Sequence, residues 1–187
     1  MPGARTGEAP RSMTAIAGQL LLDARSGDAT AFASLVHAET PAAYRVALSI
    51  VRSPAEAEDA VQEAFLRAWR DIRSLRDVEL WPAWFRRITV RAALDQARRR
   101  NRVREVDLDL AADVPGLEPS VHPADRLELI AAFDRLAPDD RAILALRFFA
   151  DLELPAVAAA LGIPLGTAKS RLHRAVGRLR AQMRQES

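Results

Sequence analysis

The chain has 187 residues, no cysteine and a formal charge of only +2. Disulfide scaffolds and thiolate metal centres are therefore excluded, and net charge alone points to no partner. Hydrophobic residues make up 49 %, enough for a core, while aromatics are only 5 %. With Ala and Leu dominant, helices packed through small and γ-branched side chains are favoured over a β-sandwich. His37, His122 and His173 are far apart and form no ligand spacing, so no metal or other cofactor is expected. The apolar stretch 16–22 is broken by Gly18 and Gln19. It is too short to cross a bilayer and lacks signal-peptide flanks, so direct membrane insertion is not expected, and the lack of cysteine fits a cytoplasmic location. Lys169 is the only lysine. Arginine suits bidentate recognition of phosphate and guanine, but a GC-rich genome also encodes such a chain, and that plain explanation carries more weight.

Residues 1–12 are polar, contain Pro and Gly, and are expected to be disordered. A helical period begins at Thr14 with Ile16, Leu20 and Leu21 and pauses at Ser26, Gly27 and Asp28. Asp28 is a candidate N-cap for a second helix carrying Phe32, Leu35 and Val36. Pro41 is read as opening a third helix, with Tyr44, Ala47, Leu48 and Val51 on its apolar face. Ser53, Pro54 and Glu56 have the spacing of a capping box. They start a fourth helix running to about Ile72 on the stripe Ala57, Val61, Ala64, Phe65, Ala68 and Ile72. After a loop over 73–81, Pro82 opens a fifth helix through Trp84, Phe85, Ile88, Ala92 and Leu94, ending in a basic tail at 98–102.

From Glu105 to Asp125 six acids appear with no Lys or Arg among them, alongside Pro115, Pro119 and Pro123. That stretch reads as a flexible acidic linker. The helical period resumes at Arg126, and three further helices are expected near 138–149, 154–161 and 165–184. No strand pattern stands out. The expected architecture is all-α: two small helical domains, residues 13–104 and 125–187, joined by the linker at 105–124.

Residues 154–173 have the spacing of a helix-turn-helix. Ala158 lies where the two helices approach, Gly162 supplies a positive φ at the turn, and Ala168 closes the small core. The second helix is expected to bury Leu165, Ala168, Leu172, Ala175, Val176 and Leu179. Thr167, Lys169, Ser170 and Arg171 then stand where such a helix meets base edges, with Arg174 and Arg178 further along for phosphates. The plain alternative is a helical hairpin with a solvated basic face, and the hydroxyl and basic residues concentrated there weigh against it. Glu153 sits where Ser or Thr is preferred as an N-cap, although Asp151 and Pro155 support a helix start nearby.

In the N-terminal half, Asp59, Gln62, Glu63 and Leu66 are spaced i, i+3, i+4, i+7 and share a face distinct from the Val61 and Phe65 stripe. Two usable faces suggest a partner, and a merely solvated acidic face is the competing reading. The fifth helix carries Arg86, Arg87, Arg91, Arg98, Arg99, Arg100 and Arg102 against one internal acid, Asp95. A basic helix with Trp81 and Trp84 at its start suits backbone contact and stacking on unpaired bases. Core packing is the competing role, favoured for Trp84, which shares the stripe with Ile88, and evenly balanced for Trp81.

The blocks GDATAFASLV, AEDAVQEAFLRAWR, WFRRITVRAALDQARRR, LAPDDRAILALRFF and LPAVAAALGIPLGTAKSRLHRAVGRLR together resemble the extracytoplasmic-function sigma factors of the sigma-70 family, in order and over nearly the whole chain. The resemblance implies a non-catalytic specificity subunit that recruits RNA polymerase to promoters and starts transcription at −10 and −35 elements. It implies that Asp59, Gln62, Glu63 and Leu66 contact the clamp of the largest polymerase subunit. The −10 strand would meet Trp81, Arg86, Arg87, Arg91, Arg98 and Arg99 together with the loop at 74–81. The −35 duplex would meet Thr167, Lys169, Ser170, Arg171, Arg174 and Arg178. An anti-sigma factor is implied as a further partner, and the tether would thread the polymerase cleft. The family often has Arg-Asn where this chain has Val90 and Arg91, and Asp77 and Glu79 in the loop are individual to it.

Two other readings compete. A helix-turn-helix regulator acting without polymerase accounts for the C-terminal motif but not for the two-faced acidic helix. A metal-dependent nuclease using Glu56, Glu58, Asp59 and Glu63 is disfavoured, because carboxylates on one helix rarely converge on a metal without ligands from other elements. On the sigma-factor reading, replacing Arg171 is expected to cost about 1–3 kcal/mol at one −35 position. Binding measured across a promoter panel checks this, since a uniform loss assigns Arg171 to phosphate. Reversing the charge of Glu63 is expected to weaken polymerase binding with the fold intact.

Overall fold

The computed structural model describes residues 9–103 and 123–184. Eight α-helices lie among them: α1 (Ala9–Ser26), α2 (Ala29–Val51), α3 (Pro54–Asp71), α4 (Trp81–Val103), α5 (Pro123–Asp134), α6 (Pro138–Leu144), α7 (Leu154–Leu161) and α8 (Leu165–Met183). No strand occurs among the described residues. The acidic stretch expected as a tether lies outside them, except that Pro123 and Ala124 already belong to α5. α1 likewise begins ahead of the expected start at Thr14.

The helix starts follow local chemistry. Asp28 caps α2, its carboxylate accepting from the backbone N–H of Thr30 at 2.7 Å and of Ala31 at 3.1 Å. Ser53 caps α3 with Pro54 in the first turn. The Glu56 carboxylate of the expected capping box accepts instead from Arg100 Nη1 at 2.9 Å, linking α3 to α4. Pro41 does not open a helix, because α2 runs through it. A proline there removes one backbone donor and crowds the preceding turn. Burial on both sides outweighs this: Phe32, Leu35 and Val36 before it and Ala43, Val46, Ala47 and Ile50 after it are all in the core. The segment after α3 forms two short 3-10 turns, Ile72–Ser74 and Val78–Leu80, and α4 starts at Trp81, one residue before Pro82.

α2, α3 and α4 pack mutually, with α1 laid against α2. Alanines at the crossings (Ala47, Ala57, Ala64, Ala68 and Ala93) are fully buried, so the helix backbones approach closely. Leu21 joins this core while Ile16 remains exposed. The second unit, α5–α8, does not stand apart. α6 packs on α2 and α4, α7 packs on α4, and buried residues form one continuous cluster from Leu21 to Ala175.

Arg141 of α6 joins the two units. Its side chain is buried, and Nε and Nη2 donate to the Ile50 carbonyl at 2.9 and 2.6 Å. Nη1 donates to the carbonyls of Leu136 and, at 3.2 Å, Asp134. These acceptors lie at the C-terminal ends of α2 and α5, where helix carbonyls lack partners and the dipole favours a cation. Burial pushes the guanidinium down to about 10, against the attraction of Asp134, so it stays charged at neutral pH. Arg52, in left-handed conformation at the end of α2, pairs with Asp134 from the same side.

Replacing Arg141 with Met strands several buried carbonyls. Since hydrogen bonds to charged groups contribute about 1.5–3 kcal/mol each, the variant is expected to lose roughly 3 kcal/mol of stability, read as a lowered urea midpoint. An unchanged midpoint would show that the guanidinium joins nothing of consequence.

Candidate nucleic-acid interface

The helix-turn-helix forms at the expected spacing. α7 ends at Gly162 (φ +67°), whose N–H bonds the Ala159 carbonyl at 3.2 Å, while Ile163 N–H reaches the Ala158 carbonyl at 3.0 Å. Ala158, Ala168 and Ala175 are buried between α7, α8 and their neighbours. Glu153 makes no side-chain cap, and Pro155 occupies the first turn of α7 in its place. One member of the expected apolar face is out of place. Leu165 is 42 % exposed, because it opens α8 before that helix reaches the cover of its neighbours.

On the outer face of α8, Thr167, Lys169, Ser170, Arg174 and His173 are exposed. Ser170 Oγ donates to the Thr167 carbonyl at 3.1 Å and Arg174 Nε to the Ser170 carbonyl at 3.3 Å. These contacts lie within α8 and leave its first turn exposed. Arg171 and Arg178 differ. Arg171 Nη1 bonds Asp139 Oδ1 at 3.1 Å, and Arg178 Nε pairs with Asp140 Oδ2 at 3.0 Å. Both acids lie in the first turn of α6, where the helix dipole favours them. Sequence spacing did not reveal this, because the partners lie about thirty to forty residues away.

On α4, Arg87, Arg91 and Arg98 (i, i+4, i+11) fall on one exposed stripe, with Arg99 beside it. The stripe adjoins the second unit. A Cβ on Gly162 would lie 3.2 Å from Arg91 Nη2, and Arg98 Nη2 is 3.6 Å from Asp139 Oδ1. Arg86, half-buried, lines a cavity between α2, α4 and the short π-helix Ala145–Phe149 that continues α6. Val90, at the position where the family's pattern differs, is fully buried.

Trp81 is not on this surface. It is 4 % exposed, stacked on Phe85 at 5.3 Å between centroids and tilted against Trp84 at 5.7 Å. Its Nε1–H is buried without an acceptor, which costs about 1–3 kcal/mol, and the large apolar area of the ring offsets it. Trp84, favoured from sequence for the core, is the half-buried one of the two. The balance inverts because α4 begins at Trp81, which turns that ring inward onto Phe32 and Phe85.

On α3, Asp59, Gln62 and Leu66 face outward, and Leu66 is 59 % exposed. Glu63 shares that face but is engaged. It accepts from Arg67 Nε at 2.8 Å and lies 3.7 Å from Arg70 Nη2, while Arg67 Nη1 bonds Asp95 on α4 at 3.0 Å. The bond from Arg67 holds the Glu63 carboxyl below its usual range against partial burial, and the bond to Glu63 likewise raises Arg67. The pair's support is complete above the ordinary carboxylate pKa and fades as pH falls through the lowered folded value. Reversing Glu63 would set a cation between Arg67 and Arg70, so Asp59 and Leu66 are the cleaner probes of this face. No group of three His, Cys, Asp or Glu that would hold a metal occurs among the described residues, and no described helix is long and apolar enough to cross a membrane.

Residues 35–103, from within α2 to the end of α4, match the family Sigma-70 region 2, and residues 132–181, from the end of α5 through α8, match Sigma-70, region 4. The chain is similar to the ECF RNA polymerase sigma factor SigE of Mycolicibacterium smegmatis, 34 % identical over 179 residues, covering 91 % of this chain and 69 % of that one. It is 34 % identical over 143 residues to the RNA polymerase sigma factor SigV of Bacillus subtilis, covering 76 % and 85 %. Among solved structures, the sigma factor RpoE in complex with the anti-sigma factor NepR from Bartonella quintana superposes with a TM-score of 0.62 at 28 % identity, over 77 % of this chain and 91 % of that one.

The turn supplies a direct check. Gly162→Ala places a side chain at positive φ, expected to cost about 1 kcal/mol, and Asn, which tolerates that region, is expected to cost less. Urea denaturation of both variants measures the difference, and equal stability of Ala and Gly would contradict the left-handed turn.

Proposed function

The chain belongs to the extracytoplasmic-function branch of the sigma-70 family of RNA polymerase sigma factors, and from that membership we propose that it binds core polymerase through α3 and reads promoter DNA through α4 and α8. In this reading Asp59, Gln62 and Leu66, with Glu63 beside them, dock on the clamp of the largest polymerase subunit. The α4 stripe of Arg87, Arg91, Arg98 and Arg99, with Arg86 at its edge, meets the −10 strand. Thr167, Lys169, Ser170 and Arg174 meet the −35 duplex directly. Arg171 and Arg178 join them once released from Asp139 and Asp140. Trp81 has no part in it, being core.

The observation that carries the reading is the helix-turn-helix whose second helix exposes Thr167, Lys169 and Ser170 at its first turn, on a chain that also presents an acidic and apolar face on α3. Base edges are read by hydroxyl and basic side chains at that place on a recognition helix. Each DNA contact is weak alone, and tethering two of them on one polymerase makes the second effectively intramolecular. The work is recruitment and positioning in the cytoplasm, without catalysis by the chain itself. An anti-sigma factor is a further partner in this reading, in line with the complex solved for RpoE.

Stoichiometric co-purification with core polymerase separates this reading from a regulator that binds DNA alone. Leu66→Ala is expected to weaken polymerase binding about tenfold or more, since burying a leucine contributes about 1.5–3 kcal/mol, and to leave the melting temperature unchanged. Asp59→Lys is expected to act in the same direction. Undiminished co-purification of both variants would remove α3 as the docking face.

A further inference from the structure

We propose that Asp139 is an internal competitor of DNA: in the free chain its carboxylate occupies Arg171 of the recognition helix and Arg98 of the basic helix, two cations that DNA would otherwise take. The inference rests on the DNA-binding reading above and adds to it a residue that sets the affinity of the free chain.

One oxygen, Asp139 Oδ1, lies 3.1 Å from Arg171 Nη1 and 3.6 Å from Arg98 Nη2. Arg98 belongs to α4 and Arg171 to α8, so this oxygen bridges the two surfaces assigned to different promoter elements. The bridge is not isolated. α7 packs against α4, Arg91 lies against the Gly162 turn, and Arg141 fastens α6 to the end of α2. Asp139, on the short helix α6, is thereby held facing both arginines. A guanidinium bonded to a carboxylate loses that bond before it meets a phosphate or a base edge, and the Asp139 charge beside the two arginines opposes the approach of the DNA polyanion. The cluster is partly exposed, with Asp139 at 41 % and Arg98 at 54 %. It therefore acts as a reversible competitor, strongest at low salt, and not as a permanent lock.

The test is equilibrium binding of the full chain, without polymerase, to a fluorescent duplex over a salt series. Asp139→Asn is expected to bind about three- to tenfold more tightly, with a salt dependence steeper by one to two counterions. Asp139→Glu, which keeps the charge, is expected to match the unaltered chain. Asp151→Asn removes the same charge at an exposed carboxylate paired with Arg147 and is expected to change little. If Asp139→Asn binds no more tightly than Asp151→Asn, while Arg174→Ala still weakens binding, the competitor role falls and the DNA surface stands. If Arg174→Ala is also without effect, the DNA surface falls and the competitor with it. A thermal melt of Asp139→Asn accompanies the titration. Asp139→Ser supplies the same charge removal with a helix-capping side chain and must give the same tightening.

Discussion

The guanidinium of Arg141 lies between the C-terminal ends of α2 and α5 and donates to backbone carbonyls of both. Each helix end leaves carbonyls without intrahelical partners, and one planar, always-charged fork satisfies several at once. Its location determines what the rest of the chain can do. α6 is fixed against the end of α2, α7 packs on α4, and Asp139 thereby stands between Arg98 of α4 and Arg171 of α8. Arg100, bonded to the Val51 carbonyl and to Glu56, secures the same end of α2 from the other side. Arg100, which the sequence places in the basic run of the fifth helix, thus holds the interior together beside Arg141.

The second consequence is electrostatic. A chain with almost balanced charge keeps its surface cations beside acids of its own: Arg171 and Arg98, proposed for DNA, on Asp139, Arg178 on Asp140, and Arg67 of the α3 face on Glu63 and Asp95. Such pairs contribute little to stability when partly exposed. On the proposed reading they matter because those on the DNA surfaces must be exchanged when a polyanion arrives. On the proposed reading, specific recognition depends most on the side chains already open, Thr167, Lys169, Ser170 and Arg174, and the paired arginines respond to salt.

Much of this was legible in the residues. Local signals carried the helix starts at Asp28 and Ser53, the Gly162 turn and the Ala158 and Ala168 core, because caps and turns depend on chemistry within four residues. The same locality misled at Pro41, where tertiary burial on both sides carries α2 through a residue that ends most helices. It also misled at Trp81, whose burial depends on Phe32, nearly fifty residues earlier. What periodicity cannot contain is pairing across the chain. That Arg100 and Arg141 are structural, that Glu63 is tied to Arg67, and that Asp139 serves two arginines all depend on contacts between helices far apart in sequence.

The central claim, that this small all-α chain gives polymerase its choice of promoter, is met most directly by transcription from templates with randomised −35 and −10 segments, using core polymerase with and without the chain and sequencing the run-off products. The account predicts that the chain enriches two short sequence elements at a fixed separation upstream of discrete start sites. Products indistinguishable from those of core polymerase alone would contradict it.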